Sequence, residues 1–311
     1  MEYDVTLLDF PRFSDEADDS PRILRAISAT DGGVLYIPRG DYEIASPLFI
    51  LNNTSLLLHP QAKLIAVNEM QYILTYKLKG GNHNVFARGG QLDGRGIASG
   101  MFLTGCFHFT LADMTYFNCK NYGLRTERPG CEVIANNLYC RCDMSGLAGN
   151  TGISIDLGDS HFTDCIVVDY TVGIEVSGGS SRLTRCHVWG GAVPAKEEGG
   201  VPEMLVDSIC FLVKNCDGND CLLRDCYADT GYIGFQIHDN TRIIGGAYLN
   251  AKKFVLDDIT VINHKHGYLH VDDGFFKVCT DHGIFYRGKN QNVKWGTNWV
   301  SGEEMYLPEK H

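Results

Sequence analysis

The sequence predicts an all-β chain: a right-handed parallel β-helix with an N-terminal capping helix, in a single domain over residues 1–311. Three observations predict it: a recurring phrase that ends in Cys, a second phrase of strict period-two alternation, and no 3.6-residue apolar period in either. The expected division is a cap over 1–33, coils over 34–285 and a C-terminal cover over 286–311.

The first phrase is hydrophobic, any residue, polar, Cys. It occurs as Tyr116-Phe117-Asn118-Cys119, Tyr139-Cys140-Arg141-Cys142, Phe162-Thr163-Asp164-Cys165, Leu183-Thr184-Arg185-Cys186 and Leu223-Arg224-Asp225-Cys226. Ile243-Ile244-Gly245-Gly246 closes the series with Gly in place of Cys. The last residues, 119, 142, 165, 186, 226 and 246, are separated by steps of 23, 23, 21, 40 and 20. The 40-residue step holds an insertion, roughly Gly190 to Val206, of the kind that shapes a binding site on a regular solenoid.

The second phrase follows each Cys. It reads Gly123-Leu124-Arg125-Thr126-Glu127, Gly152-Ile153-Ser154-Ile155-Asp156, Gly173-Ile174-Glu175-Val176-Ser177, Ser208-Ile209-Cys210-Phe211 and Gly234-Phe235-Gln236-Ile237-His238. Alternation of period two means half-buried strands, and repeating them coil after coil stacks them with rungs ~4.8 Å apart. At the N-terminus, Asp18-Asp19-Ser20-Pro21 reads as a helix start with Ser20 as N-cap and Pro at the first helical position. Ile23, Leu24 and Ile27 give that helix one apolar face, Asp31-Gly32-Gly33 ends it, and Val34-Leu35-Tyr36-Ile37 is the expected first strand. Such a cap covers the terminal rung of a solenoid, which otherwise exposes core and backbone edges.

Composition narrows the function. The formal net charge is −11 and no basic cluster exceeds Lys252-Lys253, which argues against a nucleic-acid partner. No run of eighteen apolar residues occurs, so no membrane-spanning helix is expected. The acidic start Met1-Glu2-Tyr3-Asp4 lacks an apolar signal region, and the expected location is cytoplasmic. The twelve cysteines match no paired zinc spacing and read as reduced, buried small hydrophobes.

A run of N-terminal motifs carries a resemblance: Asp19-Ser20-Pro21, Ala26-Ile27, Gly32-Gly33-Val34-Leu35-Tyr36-Ile37-Pro38-Arg39-Gly40-Asp41-Tyr42, Leu56-Leu57-Leu58-His59-Pro60-Gln61-Ala62 and Gly89-Gly90-Gln91-Leu92-Asp93-Gly94-Arg95-Gly96. The chain resembles the pectate-lyase-like β-helix superfamily, which includes polygalacturonase-type glycoside hydrolases along with lyases, epimerases, fructotransferases and phage tailspikes. The resemblance implies an oligosaccharide or polysaccharide partner, and a chain that can assemble as a homotrimer with sites between subunits. The polygalacturonase catalytic pattern departs here: Asn150-Thr151-Gly152 lacks its Asp, and the positions of its Asp pair hold Thr171-Val172.

The alternation nominates a surface. Leu124, Ile153, Ile174, Ile209 and Phe235 are expected to point inward, and Arg125, Ser154, Glu175, Cys210 and Gln236 outward. Two residues further on, Glu127, Asp156, Ser177, Leu212 and His238 extend the outward stripe, and Phe102 offers an aromatic platform one rung earlier. Asp156 and Glu175 are the candidate catalytic acids, because glycosidic cleavage needs one protonated and one ionised carboxyl. Arg125, Glu127, Gln236, His238 and Phe102 are candidate substrate contacts, with Arg125 the alternative base of a lyase. Asp143, Asp169 and Asp229 fall in or near turns, where Asp usually bonds its own backbone; Asp169 is kept as a substrate contact. Near the C-terminus His264-Lys265-His266, His270 and Asp272-Asp273 form the densest polar cluster without a third metal ligand at suitable spacing, and no metal or cofactor is expected. The leading reading is a glycosidase. An intramolecular glycosyl or fructosyl transferase, a polysaccharide lyase and a trimeric non-catalytic tailspike-like module are the alternatives.

Overall fold

The computed structural model describes residues 2–193 except 83, 145–146 and 148, then 203–204, 208–214, 216, 221–229, 233–238 and 241–244. Beyond these it describes the strands Lys253–Leu256, Leu269–Asp272, Phe275–Lys277, Ile284–Tyr286, Val293–Trp295 and Trp299–Ser301. The described coils contribute strands to three parallel ladders, the third of them described as far as Tyr227–Asp229. The first includes Tyr122–Glu127, Thr151–Ile155, Val172–Val176, Ile209–Val213 and Ile233–Ile237. The second includes Cys131–Asn136, His161–Thr163, Arg182–Thr184 and Cys221–Arg224. The third includes Thr115–Phe117, Tyr139–Arg141, Ile166–Tyr170, His187–Gly190 and Tyr227–Asp229. The long strands Met70–Asn82 and Ala98–Ala112 run from the first ladder into the second and join them as one 21-stranded sheet; the third is an eight-stranded sheet. This is the expected parallel β-helix.

The capping helix spans Ser20–Thr30 and buries Ser20, Ile23, Ala26, Ile27 and Thr30, residues three and four apart on one face. Asp19 takes the N-cap position, while Asp18 Oδ1 accepts the Ser20 N–H at 2.7 Å. Ser20 is therefore the first helical residue rather than the cap. Its buried Oγ accepts from the Ala45 and Ser46 amides, which ties the helix to the first coil. The helix stops at Asp31, whose left-handed φ of 43° turns the chain out. The first strand is Val5–Thr6, pairing in parallel with Val34–Ile37, so one strand precedes the expected start.

The Cys phrase belongs to two ladders. Phe162, Leu183, Leu223 and Ile243 share a row of the second ladder, whereas Tyr116 lies in the third ladder and pairs with Cys140. Both corners use the same chemistry, which is why they read alike in sequence. A polar residue adopts the left-handed region, as at Asn118, Asp164, Arg185 and Asp225 with φ near 50°, and a buried small thiol follows it. Eleven described cysteines are free and ten of them are buried, as expected of packing residues. Burial pushes the Cys106 and Cys119 thiols up to about 12, so neither is a nucleophile at neutral pH.

The insertion carries a short antiparallel pairing of Ala192–Val193 with Glu203–Met204; its residues 194–202 and 205–206 lie outside those described. The second ladder continues through Leu269–Asp272 and Val293–Trp295, and the first through Lys253–Leu256 and Ile284–Tyr286. His264, Lys265, His266 and Asp273 of the C-terminal polar cluster lie outside the described residues. No helix among the described residues is long and apolar enough to cross a membrane.

Candidate active site on the first ladder

The alternation of the second phrase positions the site. Leu124, Ile153, Ile174, Phe211 and Phe235 form one buried row, each at most 1% exposed. Phe211, not Ile209, takes the inward place on its rung, because Ile209 pairs with Val172 and Ile233 two residues earlier in register. Cys210 therefore falls in the row of Gly173 and is buried, correcting its expected outward position. Glycine recurs in that row because the next side of the coil presses against it: a Cβ on Gly152 would lie 2.3 Å from Val167, and one on Gly173 2.2 Å from Val188. The outward residues of this rung are Leu212 and Lys214, and Lys214 is an addition to the expected stripe. The alternation alone does not reveal it; packing fixes the register, with Phe211 stacked on Phe235 at 4.9 Å between ring centroids.

With that correction the register places two outward columns side by side. One runs Phe102, Arg125, Ser154, Glu175, Leu212, Gln236. The other runs Glu127, Asp156, Ser177, Lys214, His238, each two residues further along its chain segment. Arg125, Glu127, Asp156, Glu175, Gln236, His238 and Phe102 thus share one face. Asp169 does not. It lies on the third ladder with φ 60°, at the register irregularity between Val168 and Tyr170.

The end of the stripe nearer the cap is aromatic and cationic. Phe102 stacks on Tyr72 at 5.0 Å, and the Arg125 guanidinium sits 5.0 Å from the centre of the Tyr122 ring. Arg125 Nη2 donates to Glu127 Oε2 at 2.6 Å. Burial works against the Arg125 charge, but Tyr72, Tyr122 and Glu127 together outweigh it and hold the guanidinium above its ordinary range. Burial likewise pushes the Tyr72 hydroxyl up, opposed by Arg125.

The other end is built around Ser177. Asp156 Oδ1 lies 3.2 Å from Ser177 Oγ and 3.1 Å from Arg128 Nη2, and Asp156 Oδ2 accepts the Arg128 backbone N–H at 3.3 Å. Glu175 reaches toward the same column, with Oε2 3.0 Å from Lys214 Nζ. Their side chains are 23% and 18% exposed, so both face a partly dry surface. One rung and two strand residues separate them, which sets their backbones about 8 Å apart. Thr126 fixes the turn that carries Asp156: its fully buried Oγ1 accepts the amides of Asp156 and Leu157 at 3.0 and 3.2 Å. Further along, Gln236 Nε2 and His238 Nε2 are 2.7 Å apart.

A second polar cluster, on the third ladder, has no counterpart among the expected site residues. The His187 ring stacks on Tyr227 at 4.0 Å, and its Nε2 lies 3.9 Å from Asp229 Oδ2. Among the described residues, the buried His187 Nε2 and Trp189 Nε1 have no hydrogen-bond partner. Burial pushes the His187 imidazole down, against the opposing pull of Asp229. Among the described residues no group of three or more His, Cys, Asp or Glu is placed to hold a metal ion.

No family model matches the chain, and no curated protein does. Solved structures do. The A-module of the mannuronan C-5 epimerase AlgE4 of Azotobacter vinelandii is 15% identical with a TM-score of 0.63, covering 96% of each chain. An endo-xylogalacturonan hydrolase of Aspergillus tubingensis is 13% identical with a TM-score of 0.58, over 96% of this chain and 91% of that one. ORF18 of Geobacillus virus E2 is 16% identical with a TM-score of 0.61, over 95% of this chain; the present chain spans 60% of its length. At these identities the likeness defines the fold, and the chain has the pectate-lyase-like right-handed parallel β-helix fold.

Proposed function

We propose that the chain is a carbohydrate-active enzyme that cleaves a glycosidic bond in an oligosaccharide or polysaccharide lying along the first ladder, with Asp156 and Glu175 as its acid/base pair. One observation carries this reading: two carboxylates on adjacent rungs of the same face, both turned toward the Ser177 column. A backbone separation of about 8 Å leaves the carboxyl groups able to reach the ~5–9.5 Å span over which paired acids cleave glycosides. Asp156, held by Arg128 and Ser177, is placed to act as base. Glu175, paired with the long Lys214 side chain, is placed to act as acid once substrate displaces that lysine. Phe102 and Tyr72 supply an aromatic platform, and Gln236 and His238 supply hydrogen bonds at the opposite end. That an epimerase and a hydrolase named for polysaccharides share the fold agrees with this substrate class.

A lyase acting on a uronate is the second reading. The observation in its favour is the set of cations on the stripe, Arg125, Arg128 and Lys214, in a chain of net charge −11. The test is turnover of a panel of neutral and uronate oligosaccharides by the wild type, Asp156→Asn and Glu175→Gln. Loss of about 100-fold or more in kcat in either variant is expected. Wild-type activity in both variants ends the Asp156/Glu175 assignment, and binding without turnover by the wild type identifies a non-catalytic module instead.

A further inference from the structure

Directly beneath the candidate site lie two thiols in contact. Cys216 and Cys221 are fully buried, and their Sγ atoms are 3.2 Å apart. A disulfide needs about 2.05 Å, so the remaining gap is only about an ångström. Cys216 follows the end of the strand Ile209–Val213, and Cys221 opens the next strand, Cys221–Arg224, so the pair faces itself across one corner of the coil. Cys216 Sγ contacts the carbonyls of Val176 at 3.8 Å and Lys214 at 3.7 Å. Cys221 Sγ contacts the carbonyl of Gly178 at 3.7 Å. The two thiols therefore straddle Ser177 from inside, and Cys216 is two residues from the lysine that pairs with Glu175.

We propose that Cys216 and Cys221 are a modification site: a dithiol that closes reversibly to a disulfide under a small peroxide oxidant and staples the corner carrying Lys214. Burial selects the oxidant, since hydrogen peroxide is small and neutral and needs only a local opening to arrive. One thiolate takes an oxygen from hydrogen peroxide to become a sulfenic acid. The hydroxide released takes up that thiol's proton and leaves as water. The second thiol attacks the sulfenic sulfur, forms the S–S bond and expels a second water. Two thiols and one peroxide thus become one disulfide and two waters. Reduction by a dithiol reverses the step by exchange through a mixed disulfide.

This inference does not rest on the carbohydrate reading and is measured without substrate. The full chain is treated with hydrogen peroxide, unfolded, alkylated, digested and mapped by mass spectrometry, with a dithiothreitol-reduced sample alongside. The expected result is a peptide linking Cys216 to Cys221, two hydrogens lighter than the reduced pair and restored by dithiothreitol. The melting midpoint is expected to rise by about 3 °C on oxidation, as a short closed loop predicts, and not to rise in Cys221→Ala or Cys216→Ala. Because mapping is done on the wild-type chain, it is decisive even if a variant folds poorly. Full alkylation of both residues after peroxide, a cross-link to another cysteine, or sulfinic acid at either one without a link overturns the proposal.

Discussion

Replacing Thr126 with valine removes a single oxygen from the coil and is expected to loosen the turn that presents Asp156. The swap keeps the shape of the side chain, so packing changes little, but the amides of Asp156 and Leu157 lose their shared acceptor. The Leu157 amide is buried, and leaving such a donor unpaired costs about 1–3 kcal/mol. The Asp156 amide is partly buried and costs less, which brings the total to about 2–4 kcal/mol. In a chain of 311 residues that corresponds to a fall of about 3–6 °C in melting midpoint. Coils of a solenoid interact mainly with their neighbours, so amide exchange is the sharper assay. Exchange at Asp156 and Leu157 is expected to quicken by about 30- to 1000-fold in Thr126→Val and to stay near wild type in Thr126→Ser, which keeps the hydroxyl. Unchanged exchange at both amides in the valine variant would falsify the claim that this hydroxyl holds the turn.

Phe211→Ala is expected to cost about 3–5 kcal/mol, since the ring is buried and stacked on Phe235. Ile209→Ala, at a half-buried position, is expected to cost clearly less; the reverse order in urea titrations would contradict the pairing of Phe211 with Ile174 and Phe235. Gly173→Val is expected to destabilise by more than 1 kcal/mol, because its side chain would start 2.2 Å from Val188, and a wild-type unfolding midpoint would refute that close approach. Burial lowers the folded-state His187 value below the ordinary 6.5, so the unfolded chain binds the proton more readily. Its contribution to stability is complete above pH 6.5 and is lost as pH falls through the window below that value. The pH dependence of unfolding over that window is expected to be shallower in His187→Gln, and an identical slope in both proteins would rule this out.

Much of the architecture was readable because a parallel β-helix repeats one local solution. Period-two alternation at Tyr122–Glu127, Thr151–Ile155 and Val172–Val176 directly reports which side chains face the core, and the recurring glycine reports where one side of the coil presses on another. The Cys phrase misled in detail. A left-handed polar residue followed by a small buried one suits two different corners of the coil, so occurrences in two ladders read as one series. On the rung after the insertion, two apolar residues two positions apart, Ile209 and Phe211, satisfied the alternation equally well, and only packing against Ile174 and Phe235 selected Phe211.

Local chemistry alone therefore determined that the chain winds into stacked strands, that a helix caps the first coil, and that Arg125, Asp156, Glu175 and His238 face outward together. It could not determine what each of those side chains touches. Arg128 reaches Asp156 from 28 positions away in sequence, and Lys214 reaches Glu175 across an insertion whose length carries no information about register. Contacts of that kind depend on how adjacent coils align, and alignment is decided by side chains packing across rungs. That interaction exists only once the tertiary structure has formed.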